Sequence, residues 1–206
     1  MKKTPTWGAG FWKAFTMVEL LVTISILSIL CSLLLPALSK TKEKVRQINC
    51  LSHLKQFGVA INSYSNDYDG FLPSYHNGTV MWHMLLPRYL GMRDTNKASS
   101  LWLKCPTARV GIDTGSMNYT YGYNRYAGDL RPALVGAYPP MNLSGVVNPA
   151  DRLIMADSYN TGIGTVTELG AGQYRHNNGC NLLYVDGHAG WVEGSLLVNG
   201  CFKLNE

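Results

Sequence analysis

Charge is scarce in this chain and unevenly spread. Asp, Glu, Lys and Arg make up 15% of its 206 residues, and positions 15–35 hold a single one, Glu19. The formal net charge of +5 falls to +2 once Lys2, Lys3 and Lys13, ahead of that run, are set aside. The only basic cluster left is Lys40, Lys42, Lys44 and Arg46, just past the apolar run, where it suits a membrane-surface boundary. So little positive charge argues against a nucleic-acid partner. No C-x-x-C spacing occurs among Cys31, Cys50, Cys105, Cys180 and Cys201, which argues against a zinc knuckle or a thioredoxin-like site. The G-x-S-x-G, P-loop and dinucleotide fingerprints are absent too, as is any internal repeat.

What the chain does have is a membrane-length apolar run. Its 21 residues are about enough to cross a bilayer. A carboxylate inside such a run is costly and calls for a partner. Thr16-Met17-Val18-Glu19 fits a capping box, in which Thr16 and Glu19 satisfy backbone donors at a helix start. An acid at that end also suits the helix dipole. A signal peptide has a shorter apolar core with its cleavage site behind it. Here the natural cut lies ahead of the run, between Ala14 and Phe15, after a leader carrying three lysines and no acid.

Lys13, Ala14, Phe15, Thr16, Met17 and Glu19 together resemble the prepilin leader shared by type IV pilins and type II secretion pseudopilins. Pro36 falls where that family often places a proline. One position departs: the family usually has glycine before the cut, and this chain has Ala14. The resemblance implies cleavage by a prepilin peptidase, N-methylation of Phe15, and pairing of Glu19 with the Phe15 amine of a neighbouring subunit. That pairing is compatible with the capping box. Both ends of the run are basic, so charge alone leaves topology open. The resemblance implies a single-pass inner-membrane protein with a cytoplasmic leader and a periplasmic head.

Beyond Pro36, Val45, Ile48, Leu51, Leu54, Phe57, Ile61 and Tyr64 recur every three or four residues, the mark of an amphipathic helix. Asn66-Asp67-Tyr68-Asp69-Gly70 ends it with turn residues. If continuous, the helix is roughly 75 Å long. The expected organisation is a leader at 1–14, a transmembrane or filament-core helix at 15–38, an amphipathic continuation at 39–66 and a head at 67–206. Within the head, positions 81–86 read as a helical turn stopped near Pro87, and 152–156 as a strand. The Gly-, Tyr- and Asn-rich stretch 111–140 reads as loop over the sheet. Positions 181–185 and 188–192 flank Asp186-Gly187, a hairpin whose turn is expected to take positive φ at both residues. The fold class is α+β: a long N-terminal helix with a small antiparallel β-sheet head, type IV pilin-like.

His176, nine residues, then Asp186-Gly187 resembles the H-X9-DG segment of a group of prepilin-like proteins. Asn49-Cys50-Leu51, Leu54-Lys55-Gln56, Tyr68-Asp69-Gly70 with Pro73, and Cys105-Pro106 extend that resemblance along the chain. It implies no particular reaction. His176, Asp186 and His188 are donor types that suit a transition metal. The plainer and favoured reading has Asp186 serving the turn, His188 facing solvent and His176 holding backbone. Asp67 and Asp69 resemble a fragment of a calcium loop, but no acid follows Gly70 until Asp94. Calcium is thus a minor candidate and no other cofactor is expected. His53 and His83 read as packing or surface residues. Cys31 lies in the span as a small apolar residue. The other four cysteines allow three disulfide connectivities, or free thiols. Cys50 with Cys105 is the candidate pair, which export would permit.

The expectation is a structural subunit and not an enzyme. Its expected partners are the prepilin peptidase, other pseudopilins, an inner-membrane assembly platform, the membrane and a homo- or hetero-oligomeric filament, with no nucleic acid. The alternatives are a minor type IV pilin for adhesion or DNA uptake, and an anchored metal-dependent enzyme using His176, Asp186 and His188.

Overall fold

A computed structural model of the chain describes residues 15–77, 79–92, 105, 120–128, 139–158, 162–163 and 174–197. The leader, Ala14 and Cys201 lie outside the described residues, as do Pro106 and the loop segments 111–119 and 129–138. The first element, α1, spans Met17–Asp67 and contains Pro36. Proline lacks the N–H that would pair with the carbonyl of Ser32, yet the helix is not interrupted there as the apolar run is. Two compact units meet within α1, the first ending at Lys42 and the second starting at Glu43.

In the first unit every described residue through Lys42 is exposed in the single chain, including Leu20, Leu21, Ile24, Leu27 and Leu34. The segment is long and apolar enough to cross a membrane. Its hydroxyls are satisfied within the helix: Thr23 donates to the Leu20 carbonyl, Ser25 to Leu21 and Ser28 to Ile24, at 2.7–2.8 Å. A helix that closes its own polar groups this way suits hydrocarbon, where water is absent.

The second unit packs the rest of α1 on a five-stranded sheet. The strands are β1 (Tyr121–Asn124), β2 (Leu153–Asp157), β3 (Gly162–Ile163), β4 (Gly179–Tyr184) and β5 (Ala189–Glu193), in the order β3-β1-β2-β4-β5. The sheet is mixed rather than wholly antiparallel. Chain that reverses after β2 must run against it, and β1 also runs against β2, so β3 lies parallel to β1. A short helix, α2 (Trp82–Leu85), continues into a 3-10 turn at Leu86–Arg88, as Pro87 requires.

The buried face of α1 is Gln47, Cys50, Leu54, Phe57, Gly58, Ala60, Ile61 and Ser65. Val45 and Ile48 are exposed, so the first part of the expected stripe is displaced onto Gln47 and Cys50. Apolarity misplaced it because the helix meets the sheet there through polar and sulfur contacts. Against this face lie Tyr121, Tyr123, Met155, Leu183 and Val185. Ile154 and Met155 both join this core although they are neighbours, because a register shift between β2 and β4 breaks the strict alternation. Leu153, Ala156, Ile163, Cys180 and Leu182 form a second cluster. β1 is the main departure from expectation: Tyr-Gly-Tyr-Asn, inside a stretch read as loop, is a wholly buried strand between β2 and β3.

His83 is buried against Trp82, and burial lowers its pKa to about 4. Its folded value lies below its unfolded value of 6.5, so its contribution is present above pH 6.5 and is lost as pH falls toward 4. His53 is lowered by burial and acts in the same direction, whereas Asp157 is raised and acts in the opposite one. Comparing wild type with His83→Gln isolates the residue. Urea midpoints at pH 7 and pH 4.5 should show the wild-type head losing of order 2 kcal/mol more than the variant. Equal losses would mean that His83 does not titrate between those values.

Candidate functional site

The helix start carries the predicted capping box. The Thr16 backbone N–H and hydroxyl both donate to Glu19 Oε2, at 2.9 and 2.8 Å, and the Glu19 N–H donates to Thr16 Oγ1 at 3.2 Å. Leu20 N–H bonds the Thr16 carbonyl at 3.2 Å, so Thr16 is the N-cap and α1 begins one residue after it. Phe15 precedes the cap and is exposed. In the single chain, therefore, Glu19 is held at the helix terminus by its own turn.

The second constellation lies inside the head and centres on His176. This imidazole is fully buried. Its Nδ1 lies 3.1 Å from Glu43 Oε1 on α1, and its Nε2 lies 3.2 Å from Asp157 Oδ2 on β2. The same Nε2 lies 3.3 Å from Cys105 Sγ. Cys105 forms a disulfide with Cys50 of α1, with Cα atoms 5.6 Å apart. Asn181 of β4 donates its N–H to Asp157 Oδ1 at 2.7 Å and its amide to the Gln47 carbonyl at 3.2 Å. Arg175 donates to the carbonyls of Thr120 and Ser158, at 3.2 and 3.0 Å. Burial raises the Asp157 carboxyl, opposed by the His176 bond, the charges of His176 and Arg175, and the Asn181 N–H.

Local sequence explains how His176 reaches this place. His176 and Gly179 exchange backbone hydrogen bonds, with Asn177 and Asn178 both left-handed at φ 49° and 59°. That is the conformation of a type I′ turn, which asparagine tolerates. Trp191 of β5 donates its Nε1–H to the His176 carbonyl at 2.8 Å and pins the turn from the other side.

Asp186 and Gly187 sit at the far end of β4. The connection is a three-residue loop: Tyr184 N–H bonds the His188 carbonyl, and Gly187 N–H bonds the Tyr184 carbonyl. Only Gly187 is left-handed, at φ 91°, so the expectation of positive φ at both residues is corrected. This is a type I turn closed by a glycine bulge. Asp186 Oδ1 accepts from the His188 N–H and lies 2.6 Å from His188 Nδ1, while the His188 ring stacks on Tyr184. The turn rests on α1. A Cβ on Gly58 would lie 3.1 Å from Leu183 Cδ1 and 3.5 Å from the Gly187 carbonyl, and one on Gly187 would lie 3.3 Å from Asn62.

The nine-residue spacing thus has a physical meaning in this fold. It sets His176 against α1 at Glu43 and Gly187 against α1 at Gly58, about 22 Å apart along the helix. The segment clasps the helix at two levels. His176 is not gathered with Asp186 and His188, so these three do not form one site. Asp67 accepts from the Tyr89 hydroxyl and the Asp69 carbonyl accepts from Asn142, which makes both acids part of the helix-ending turn. His53 Nδ1 lies 3.2 Å from the Tyr121 hydroxyl. Glu43, Asp157, Asn181 and Arg175 were not singled out by sequence. The available signs were an acid closing an otherwise apolar strand at Asp157, and a charged pair followed by two asparagines at 175–178.

Comparison with known proteins bears on the N-terminal segment. Residues 13–35 match the family model described as the prokaryotic N-terminal methylation motif. The ComG operon protein 3 homolog of Bacillus licheniformis is 29% identical over 62 residues, which cover 30% of this chain and 64% of the relative. The chain therefore spans just under two thirds of that relative's length. No solved structure matches. The motif, the similarity and the α+β architecture together mark a type IV pilin-like chain.

Proposed function

We propose that this chain is a pseudopilin-type structural subunit of a type II secretion system or a related filament. A prepilin peptidase cuts between Ala14 and Phe15 and methylates the new Phe15 amine. The exposed apolar part of α1 then anchors the subunit in the inner membrane, with its head in the periplasm. Assembly transfers that helix from lipid into a filament core, beside other pseudopilins and the assembly platform. The observation that carries this reading is the methylation motif, lying on an exposed membrane-length helix whose one charge is Glu19. The reading is of a structural protein and not an enzyme, and the separation of His176 from Asp186 and His188 supports it.

Glu19 does two jobs in this account. It caps its own helix, and in the filament its charge pairs with the amine of a neighbouring subunit. Glutamine separates the two jobs, because a capping box accepts Glu or Gln while the pairing needs the charge. Removing one partner of a desolvated charge pair costs 2 kcal/mol or more, so both Glu19→Gln and Glu19→Ala should reduce filament incorporation at least tenfold. Membrane levels should be unchanged. Normal incorporation of Glu19→Gln, with loss in Glu19→Ala, would reduce Glu19 to a helix cap.

A further inference from the structure

We infer that the Cys50–Cys105 locus is a metal site in the reduced chain, binding one divalent ion of the zinc class before the disulfide forms. One sulfur of each cysteine and a ring nitrogen of His176 lie within 4.8 Å of one another, all buried. Asp157 Oδ2 supplies a fourth donor, 3.2 Å from His176 Nε2, and Cys105 Sγ is 3.3 Å from the same nitrogen. Tetrahedral coordination at zinc distances separates N from O by about 3.3 Å and N from S by about 3.5 Å. The observed separations are already close to both. Only the two sulfurs must part, and that is what the dithiol state does. Two thiolates, an imidazole and a carboxylate form a donor set suited to zinc or cobalt rather than to calcium or magnesium.

A second, independent feature points the same way. Glu43 faces Nδ1 of His176 at 3.1 Å, which fixes that nitrogen as the N–H donor and turns the Nε2 lone pair toward the sulfurs and Asp157. A carboxylate behind a histidine is how metal-binding imidazoles are generally oriented. The donors come from α1, β2, the turn before β4 and the segment at Cys105, so the ion would join the same parts that the disulfide joins. Loading releases two thiol protons and needs no electron transfer. The site is buried, so the ion enters as the head folds and not afterwards. Once oxidised, the pair no longer offers two thiolates, and disulfide and metal exclude each other. This inference concerns maturation of the head and stands apart from the filament reading.

The test uses the full chain in detergent. It is unfolded, reduced with a phosphine and refolded without oxygen in the presence of Co²⁺. One Co²⁺ per chain should bind, with the visible bands of a tetrahedral thiolate site. The disulfide form should bind none. Glu43→Gln should weaken binding by about 10- to 100-fold, the usual effect of losing an orienting carboxylate. His176→Gln should abolish the tetrahedral spectrum, and Cys180→Ser should leave it unchanged. Absence of Co²⁺ from the reduced wild type, or equal binding in the oxidised chain or in His176→Gln, would overturn the proposal.

Discussion

Replacing His176 with alanine should cost the oxidised head about 3–5 kcal/mol, among the largest losses available to a single substitution. The imidazole is fully buried and both ring nitrogens face carboxylates, Glu43 at 3.1 Å and Asp157 at 3.2 Å. Asp157 is itself fully buried, so removing the ring leaves a carboxyl that burial already disfavours in its charged form. Asn181 still donates to it, which limits the damage without cancelling it. The loss also has a specific partner. In a double-mutant cycle, Asp157→Ala in the His176→Ala background should cost at least 1 kcal/mol less than it does alone. Urea unfolding at pH 7 reads both quantities. Additive costs would show that the two residues stabilise the head independently and that the hub is not a unit.

Trp82→Ala should destabilise the head by a similar 3–5 kcal/mol, through a different cause. The indole is fully buried, with its ring centroid 5.6 Å from Tyr123 of β1 in a stacked arrangement and 6.2 Å from Phe57 of α1 edge-on. Its backbone N–H is bonded to the Tyr75 carbonyl at 3.1 Å. One side chain thus fills the space between helix and sheet, and alanine would leave a cavity that neither rigid element can close. Trp82→Phe should recover more than half of the loss. A cost below 1 kcal/mol for the alanine variant would mean that α2 relaxes into the gap, contrary to close packing there.

The elements that were legible in the sequence are those written in local chemistry. The capping box of Thr16 and Glu19, the apolar span, the helix-ending turn at Asp69-Gly70 and the β4–β5 hairpin each depend on residues within a few positions of one another. The elements that were missed depend on distant ones. β1 has no apolar alternation, because its tyrosines and Asn124 earn burial from Trp82, Phe57 and the Leu153 carbonyl, far away in the chain. The helix stripe slipped at Gln47 because that residue is buried by a bond from Asn181, 134 positions later. His176 was noticed only through its spacing to Asp186-Gly187. Its actual partners, Glu43 and Asp157, lie on two other elements, and no local pattern connects them. Turn chemistry misled in one detail: Asp-Gly suggested a two-residue turn, and the bonds at Tyr184 and His188 make it three.

The central claim is that the chain is made as a prepilin and matures through its N-terminal helix. Intact mass and N-terminal peptide mapping of the protein from its native membrane test it most directly. The account predicts a chain that begins at Phe15, carries one methyl group on that amine and lacks residues 1–14. A chain still beginning at Met1, with an unmodified Phe15 inside the first peptide, would contradict it.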